Sequence, residues 1–173
     1  EAGSTLEWLP QETILFDGAR LDRRIDVSLA PDARLLLAEM LVFGRKAHGE
    51  SFQTGRLLDR WRVDRAGRPL WRDGLLVEGG SNALAAAAGF GGARALATIV
   101  YAGPNAADLV EPLRALLDAA GHFSGASLVH GLLIARLLGD DAGPLKRGLS
   151  NIIGAFRAQA LGRPAAAPRV WLC

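Results

Sequence analysis

The chain is short of cysteine and lysine. Its only cysteine is Cys173, the last residue, which excludes a framework of internal disulfides and fits a reducing compartment. Only two of its 20 basic residues are lysines; the others are arginines, scattered among 18 acidic residues. Proteins that bind nucleic acid usually cluster their positive charge. A formal net charge of +2 spread in this way therefore argues against a nucleic-acid partner.

Apolar runs long enough to span a bilayer are also missing. The apolar run at 132–135, for example, is cut short by Arg136, whereas a spanning helix needs about 20 apolar residues. We therefore expect no membrane partner. The chain opens on Glu1, without a methionine, directly at structured-looking sequence; we expect no signal peptide and expect the chain to be a piece of a longer protein. Its 173 residues are enough for one domain with a sizeable core, over 1–173.

Period-two alternation predicts strands through the first two thirds of the chain. It is clearest at 20–29, where Leu21, Ile25 and Val27 fall on one face and charged residues fall on the other. Asp17-Gly18, just before this segment, predicts a hairpin with the strand at 13–16, because glycine tolerates the positive φ of such turns.

The remaining pattern predicts a mixed fold. Strands are predicted at 33–43, 53–64, 69–77, 94–101 and 127–138, and the glycine-rich stretch at 79–92 is predicted to be a mobile connection or a short helix. One helix is predicted to start at Pro104-Asn105 and stop at Gly121, and another to open at Asp140-Asp141 and end at Gly162. The order of these elements indicates a mainly β, α+β domain.

No pattern of residues indicates an enzyme. Ser127 lacks the final glycine of a nucleophile elbow, and the glycines at 89–92 are not followed by the Lys-Ser/Thr of a phosphate-binding loop. His130 shares its predicted strand face with leucines, which is typical of a core histidine. His48 and Glu50, two residues apart, would share a strand face, but two ligands do not make a structural metal site.

Four acidic residues lie in apolar or turn-rich surroundings. They are Glu7, Glu12, Glu39 and Glu50. A buried carboxylate needs a partner or a wet cavity, so two interpretations stay open: salt bridges to the many arginines, or a hydrated internal path lined with carboxylates. From the residues alone, the chain is a binding or scaffolding domain.

Four short blocks resemble one family. The stretch at 8–19, WLPQETILFDGA, is very similar to the signature of the urease accessory protein family UreD, called UreH in some bacteria. The stretch at 44–55, GRKAHGESFQTG, is similar to the family's Gly-Arg, Gly-Glu-x-Phe and Gly pattern. Gly125-Ala126-Ser127 and the closing Pro168-Arg169-Val170-Trp171 continue the match in the family's order. No block is generic and all four occur together, so the resemblance is specific.

The resemblance implies a fold and a role. The fold is one of stacked, helically wound and largely antiparallel β-sheets with two helices near the C-terminus, of which this chain would be the C-terminal portion. Early strands without neighbours would leave open edges, so we expect the isolated chain to oligomerise or aggregate. The implied role is non-enzymatic and cytoplasmic: a maturation chaperone that binds apo-urease and the accessory proteins UreF and UreG. It would help nickel reach the urease active site through a water-filled tunnel.

The resemblance also suggests which residues act. The expected transient nickel path comprises Glu12, Glu39, His48 and Glu50, with no tightly bound cofactor and with Ni²⁺ held only loosely. On this interpretation Glu12 is a polar wall residue rather than a general acid. The residues expected to contact partners are Trp8, Arg45, Arg169 and Trp171, of which Trp171 would be an aromatic anchor for UreF. We expect deletion of 167–173 to weaken UreF binding and to leave the circular dichroism spectrum largely unchanged.

Two alternatives come from other classes of protein. The first is a generic β-rich domain whose apolar interior holds a small molecule, and it predicts a retained ligand and no affinity for urease subunits. The second is a hydrolase that uses Glu12 and Glu50 as acid and base, and it predicts turnover that is lost when either residue is changed.

Overall fold

The computed structural model describes residues 1–172 and contains nine strands and two helices in that part of the chain. Cys173 lies outside the described residues. The strands are β1 (Thr5–Trp8), β2 (Thr13–Leu15), β3 (Arg20–Leu29), β4 (Arg34–Phe43), β5 (Arg56–Arg65), β6 (Arg68–Glu78), β7 (Ala95–Ala102), β8 (Phe123–Val129) and β9 (Leu132–Gly139). The helices are α1 (Val110–Ala120) and α2 (Ala142–Leu161), and short 3₁₀ turns occupy Lys46–His48 and Arg169–Leu172.

The strands form two stacked sheets. The large sheet has the order β1-β4-β7-β9-β8, with β2 also paired to β4, and the small sheet has the order β3-β5-β6. The two helices cover the far face of the large sheet, so the domain has three layers: helices, large sheet and small sheet. The predicted mainly β, α+β class is confirmed.

The first strands wind helically from sheet to sheet. Strand β2 pairs in parallel with β4, and β3 pairs in parallel with β5. In sequence, β3 of the small sheet lies between β2 and β4 of the large sheet. The chain therefore crosses from the large sheet to the small sheet and back before β4 pairs with β2. The later pairs, such as β5 with β6 and β7 with β9, are antiparallel. The sheets are therefore mixed, whereas the expectation was largely antiparallel.

Two strand predictions are wrong in detail. Asp17-Gly18 does not close a hairpin, because β2 and β3 belong to different sheets. The single strand predicted at 127–138 is a hairpin of β8 and β9, joined at His130 and Gly131 with φ of +48° and +80°. His130 is thus an exposed turn residue and not a core histidine.

The helix predictions hold except at one start. Helix α1 begins at Val110, because residues 104–109 form turns, and it ends before Gly121, which is left-handed. Helix α2 starts where predicted: the Asp141 side chain caps it by accepting a hydrogen bond from the Gly143 N–H. The stretch at 79–92 contains turns and neither helix nor strand.

The main core lies between the helices and the large sheet. Its buried side chains come from alternate positions of β4 and β7 and from the apolar stripes of both helices, with Tyr101 and Phe156 packed edge to face. Two smaller apolar clusters lie between the two sheets, one around Trp61 and Val63 and the other around Phe43 and Leu57. A group of polar residues lies between these two clusters and forms the candidate site.

Candidate functional site: a polar layer between the sheets

Polar residues lie side by side on neighbouring strands of each sheet, on the faces that the two sheets turn towards each other. In the large sheet the cross-strand register sets Glu39 beside Thr98, and Thr98 beside Arg136. In the small sheet it sets Arg23 beside Asp59, and Asp73 lies diagonally across on β6. Each of these residues interrupts an otherwise apolar inward stripe; on β4, for example, Leu37 and Leu41 flank Glu39. We call these six residues the polar layer.

Arg23 joins the two sheets through two buried carboxylates. Its Nη1 donates to Glu39 Oε2 at 2.6 Å, and its Nε and Nη2 donate to the two oxygens of Asp59 at 2.9 and 2.7 Å. Glu39 is 5% exposed and Asp59 is 3% exposed. Burial alone lowers the pKa of Arg23, but the hydrogen bonds and charges of Asp59 and Glu39 outweigh it and raise that pKa, so the guanidinium stays charged.

Two tryptophans complete this end of the layer. The indole N–H of Trp8 donates to Glu39 Oε1 at 2.8 Å, and that of Trp61 donates to Asp59 Oδ2 at 2.9 Å. Trp61 is buried, whereas Trp8 lies on the edge strand β1 and is 50% exposed. Trp8 therefore links the molecular surface directly to a buried carboxylate.

A second ion pair crosses between the sheets. Arg136 on β9 donates to the carboxylate of Asp73 on β6. Three carboxylates and two guanidinium groups thus give the layer a formal net charge of −1. Withdrawing Glu39 and Asp59 from water costs free energy even though both are paired, and apolar replacements of buried ion pairs are often no less stable. The charges therefore suggest a role other than stability.

The layer lines a cavity of about 430 Å³. Its walls include Arg23, Glu39 and Asp59 at one end and Phe123 to Gly125, on the edge strand β8, at the other. Phe123 is 82% exposed, so the β8 end of the cavity lies at the surface. At about 30 Å³ per molecule, the cavity has room for on the order of ten waters.

The structure brings only Glu39, of the four predicted nickel-path residues, to this cavity. Glu12 pairs with Lys146 of α2 at 3.1 Å, on the helix side of the large sheet. Glu50 accepts hydrogen bonds from Arg45 and from the backbone N–H of Asp17. His48 lies in an exposed 3₁₀ turn, so the prediction that His48 and Glu50 share a strand face is wrong.

The residues predicted to contact partners differ in exposure. Trp8, Arg45 and Arg169 are exposed, and Arg45 stacks over the ring of Phe16 at 5.5 Å. Trp171 is only 7% exposed: its ring packs into the main core and its indole N–H donates to the backbone carbonyl of Leu9. As placed here, Trp171 anchors the chain's own C-terminal segment and offers little surface to a partner.

Five residues of the layer were not predicted: Arg23, Asp59, Asp73, Thr98 and Arg136. The signal available in the sequence was one charged residue within an apolar period-two stripe, as at Arg23 between Leu21 and Ile25. That signal cannot tell which charged residues from different strands lie at the same level, because this depends on the register between strands.

Within residues 1–172, no group of three or more histidine, cysteine, aspartate or glutamate side chains is arranged to hold a metal ion. Neither helix of this part of the chain has the length and apolar character to cross a membrane.

Hydrogen bonds to two carboxyl groups should make stability depend on pH. The pKa of Asp17 is lowered chiefly by the backbone N–H of Thr54, and that of Asp64 chiefly by the Arg62 guanidinium. Both folded-state pKa values lie below the ordinary value of 3.8, so these groups stabilise the fold above about pH 4 and lose that contribution as the pH falls through the lowered values. We expect urea unfolding between pH 7 and pH 2 to show this loss, and Asp17→Asn and Asp64→Asn each to reduce the pH dependence. Variants that lose stability on acidification as steeply as the wild type would contradict this assignment.

Comparison with known proteins identifies the family. The family model described as UreD urease accessory protein matches residues 1–172. The chain belongs to the UreD urease accessory protein family. It is 49% identical over 177 residues to the urease accessory protein UreD of Magnetococcus marinus, with 99% of this chain and 61% of that protein covered. It is 48% identical over 172 residues to UreD of Methylobacterium sp. strain 4-46, with 96% of this chain and 59% of that protein covered.

The chain thus spans about three fifths of the length of these UreD relatives. The resemblance seen in the four sequence blocks is confirmed, and it extends over nearly the whole chain.

Proposed function

We propose that this chain acts in urease maturation as a non-enzymatic scaffold in the cytoplasm, and that nickel passes through it along the polar layer. On this proposal it binds apo-urease and the accessory proteins UreF and UreG, and it holds no cofactor tightly. Membership of the UreD family supports the maturation role. The polar layer, with its adjoining cavity, is the observation that supports a passage for a cation.

Three properties of the layer suit a mobile cation. Its formal charge is −1, it adjoins a cavity with room for water, and Glu39 can supply carboxylate oxygens, which divalent metals accept. No closed set of three ligands exists among the described residues. A site that passes a cation onward must bind it weakly enough to release it, and a closed site would trap it.

The proposal predicts that Glu39→Gln lowers the nickel content of urease several-fold, because the amide keeps the shape of the carboxylate and removes its charge. Nickel per urease active site, measured by elemental analysis after activation with each variant, tests this. Asp22→Asn is the matched control, since this carboxylate forms an ion pair outside the layer. A pull-down must show that the variants still assemble with urease.

The same experiment separates the two sets of predicted residues. The sequence predicts that Glu12→Ala and Glu50→Ala lower the nickel content, whereas the geometry predicts the main effect at Glu39. Wild-type nickel in urease activated with Glu39→Gln would remove the polar layer from the path. Loss of the complex would assign Glu39 a structural role.

The size of the cavity favours one second candidate, the small-molecule binding domain. About 430 Å³ lies within the range of ligand pockets. Five charged side chains in the layer make an apolar ligand unfavourable there and favour a polar one. Native mass spectrometry of the purified chain tests this: a retained ligand that Glu39→Gln displaces would support it.

A further inference from the structure

Both carboxylates that Arg23 binds accept a hydrogen bond on each of their oxygens. Glu39 receives Arg23 on Oε2 and Trp8 on Oε1. Asp59 receives Arg23 on both oxygens and Trp61 on Oδ2. The guanidinium is the one group that both carboxylates share, and it is the positive charge between them. A divalent cation that is to bind between the two carboxylates must therefore replace the guanidinium, which donates to both of them from that place.

We propose that Arg23 determines how weakly the polar layer holds a divalent cation: its guanidinium occupies the place between Glu39 and Asp59, and the cation binds there only by displacing it. This inference rests on the proposed passage of nickel. When Arg23 withdraws, Trp8 still holds Glu39 by Oε1 and Trp61 still holds Asp59 by Oδ2. Glu39 Oε2 and Asp59 Oδ1 are then free for the cation, and the two indoles keep the carboxylates in place.

The competing guanidinium explains why Glu39 and Asp59, two buried carboxylates, would not hold a divalent cation too tightly to release it. A tethered guanidinium is always present at a high effective concentration, so it competes with the cation whatever the solution contains. It also returns when the cation leaves, so the carboxylates are never left without a positive partner. A purely structural ion pair would have the same distances, and the two interpretations differ in what removal of the arginine does to metal binding.

The test is Ni²⁺ binding to this chain, measured by isothermal titration calorimetry with Ni²⁺ alone. Arg23→Met keeps the length and apolar stem of the side chain and removes its charge. We expect it to lower the Kd for Ni²⁺ roughly tenfold or more relative to the wild type. Arg23→Lys keeps one positive charge but cannot form the paired hydrogen bonds to Asp59, so its affinity should lie between the two.

Two further variants locate the effect. Arg60→Met removes an arginine from the opposite face of the neighbouring strand, where Arg60 pairs with Asp22, and it should leave Ni²⁺ affinity at the wild-type value. Adding Glu39→Gln to Arg23→Met should abolish the gain. If Arg23→Met does not fold, Arg23→Lys carries the test: Ni²⁺ should raise the melting temperature of Arg23→Lys, and adding Glu39→Gln to it should abolish that rise.

The outcomes separate this inference from the proposed function. Equal Ni²⁺ affinity in the wild type, Arg23→Lys and Arg23→Met would overturn the inference and make Arg23 a structural ion pair. A gain that survives the addition of Glu39→Gln would also overturn it, because the metal would then bind elsewhere. A third outcome is a higher Ni²⁺ affinity of Arg23→Met that depends on Glu39, together with a wild-type nickel content in urease activated with Glu39→Gln. It would support the proposal that Arg23 competes with the cation, and it would refute the passage of nickel along the polar layer.

Discussion

Trp171→Ala is expected to lower the free energy of unfolding by about 3–5 kcal/mol, the usual cost of truncating a large buried aromatic side chain. Trp171 is 7% exposed and packs in the main core, and its indole N–H donates to the Leu9 carbonyl at 2.8 Å. The substitution leaves a cavity and an unpaired acceptor near the start of the chain. Urea denaturation followed by circular dichroism measures the loss.

Phe123→Ala is the matched control for Trp171→Ala. Phe123 is also aromatic but is 82% exposed, so its truncation should change stability by no more than about 0.5 kcal/mol. Equal effects of the two substitutions would show that Trp171 does not stabilise the core. The burial of Trp171 also alters the expectation for deletion of 167–173, which should now destabilise the fold as well as affect any partner contact.

Asp59→Ala is expected to be the second large loss, again about 3–5 kcal/mol, because it breaks an ion pair whose carboxylate is buried and leaves the partly buried Arg23 without its main partner. Asp59 accepts both of the paired hydrogen bonds from Arg23 and a third from Trp61. Glu39 alone then remains to balance the guanidinium. Equilibrium denaturation measures the effect, and near-ultraviolet circular dichroism should report a changed environment for the buried Trp61.

Asp22→Ala provides the comparison on the same pair of strands. Asp22 pairs with Arg60 at 2.6 Å, but both side chains are largely exposed, so the loss should be only about 0–1 kcal/mol. The two aspartates differ in burial and resemble each other in sequence context. A similar cost for both would mean that water reaches Asp59 freely and that the polar layer is not withdrawn from solvent.

The sequence pattern predicted the structure correctly in segments whose own periodicity or capping residue defines the element. The alternation at 20–29 correctly separated Leu21, Ile25 and Val27 from the charged face of β3. The apolar stripe and the capping Asp141 correctly placed α2. In such segments one face must leave water, so composition alone decides which side chains are buried.

The predictions were wrong where the structure of a segment depends on contacts with distant parts of the chain or on a weak turn signal. Asp17-Gly18 has the composition of a hairpin turn, but the Asp17 carboxylate accepts hydrogen bonds from the backbone N–H groups of Gln53 and Thr54, in the loop between β4 and β5. The turn at His130-Gly131 was missed because its signal is a single glycine after a histidine, within a stretch whose apolar residues continue on both sides as in one strand.

The family, the mainly β class, the faces of the long strands and the apolar setting of Glu39 can all be read from the amino-acid sequence. The ion pairs that join Glu39 to Arg23 and Arg23 to Asp59, and the positions of Glu12, His48 and Glu50 outside this cluster, depend on how the sheets pack. The physical reason is that a period-two pattern states which face of a strand is buried, but not which strand lies beside it or at what register. The polar layer exists because strands far apart in the sequence align their single charged positions, and that alignment is a property of the packed sheets.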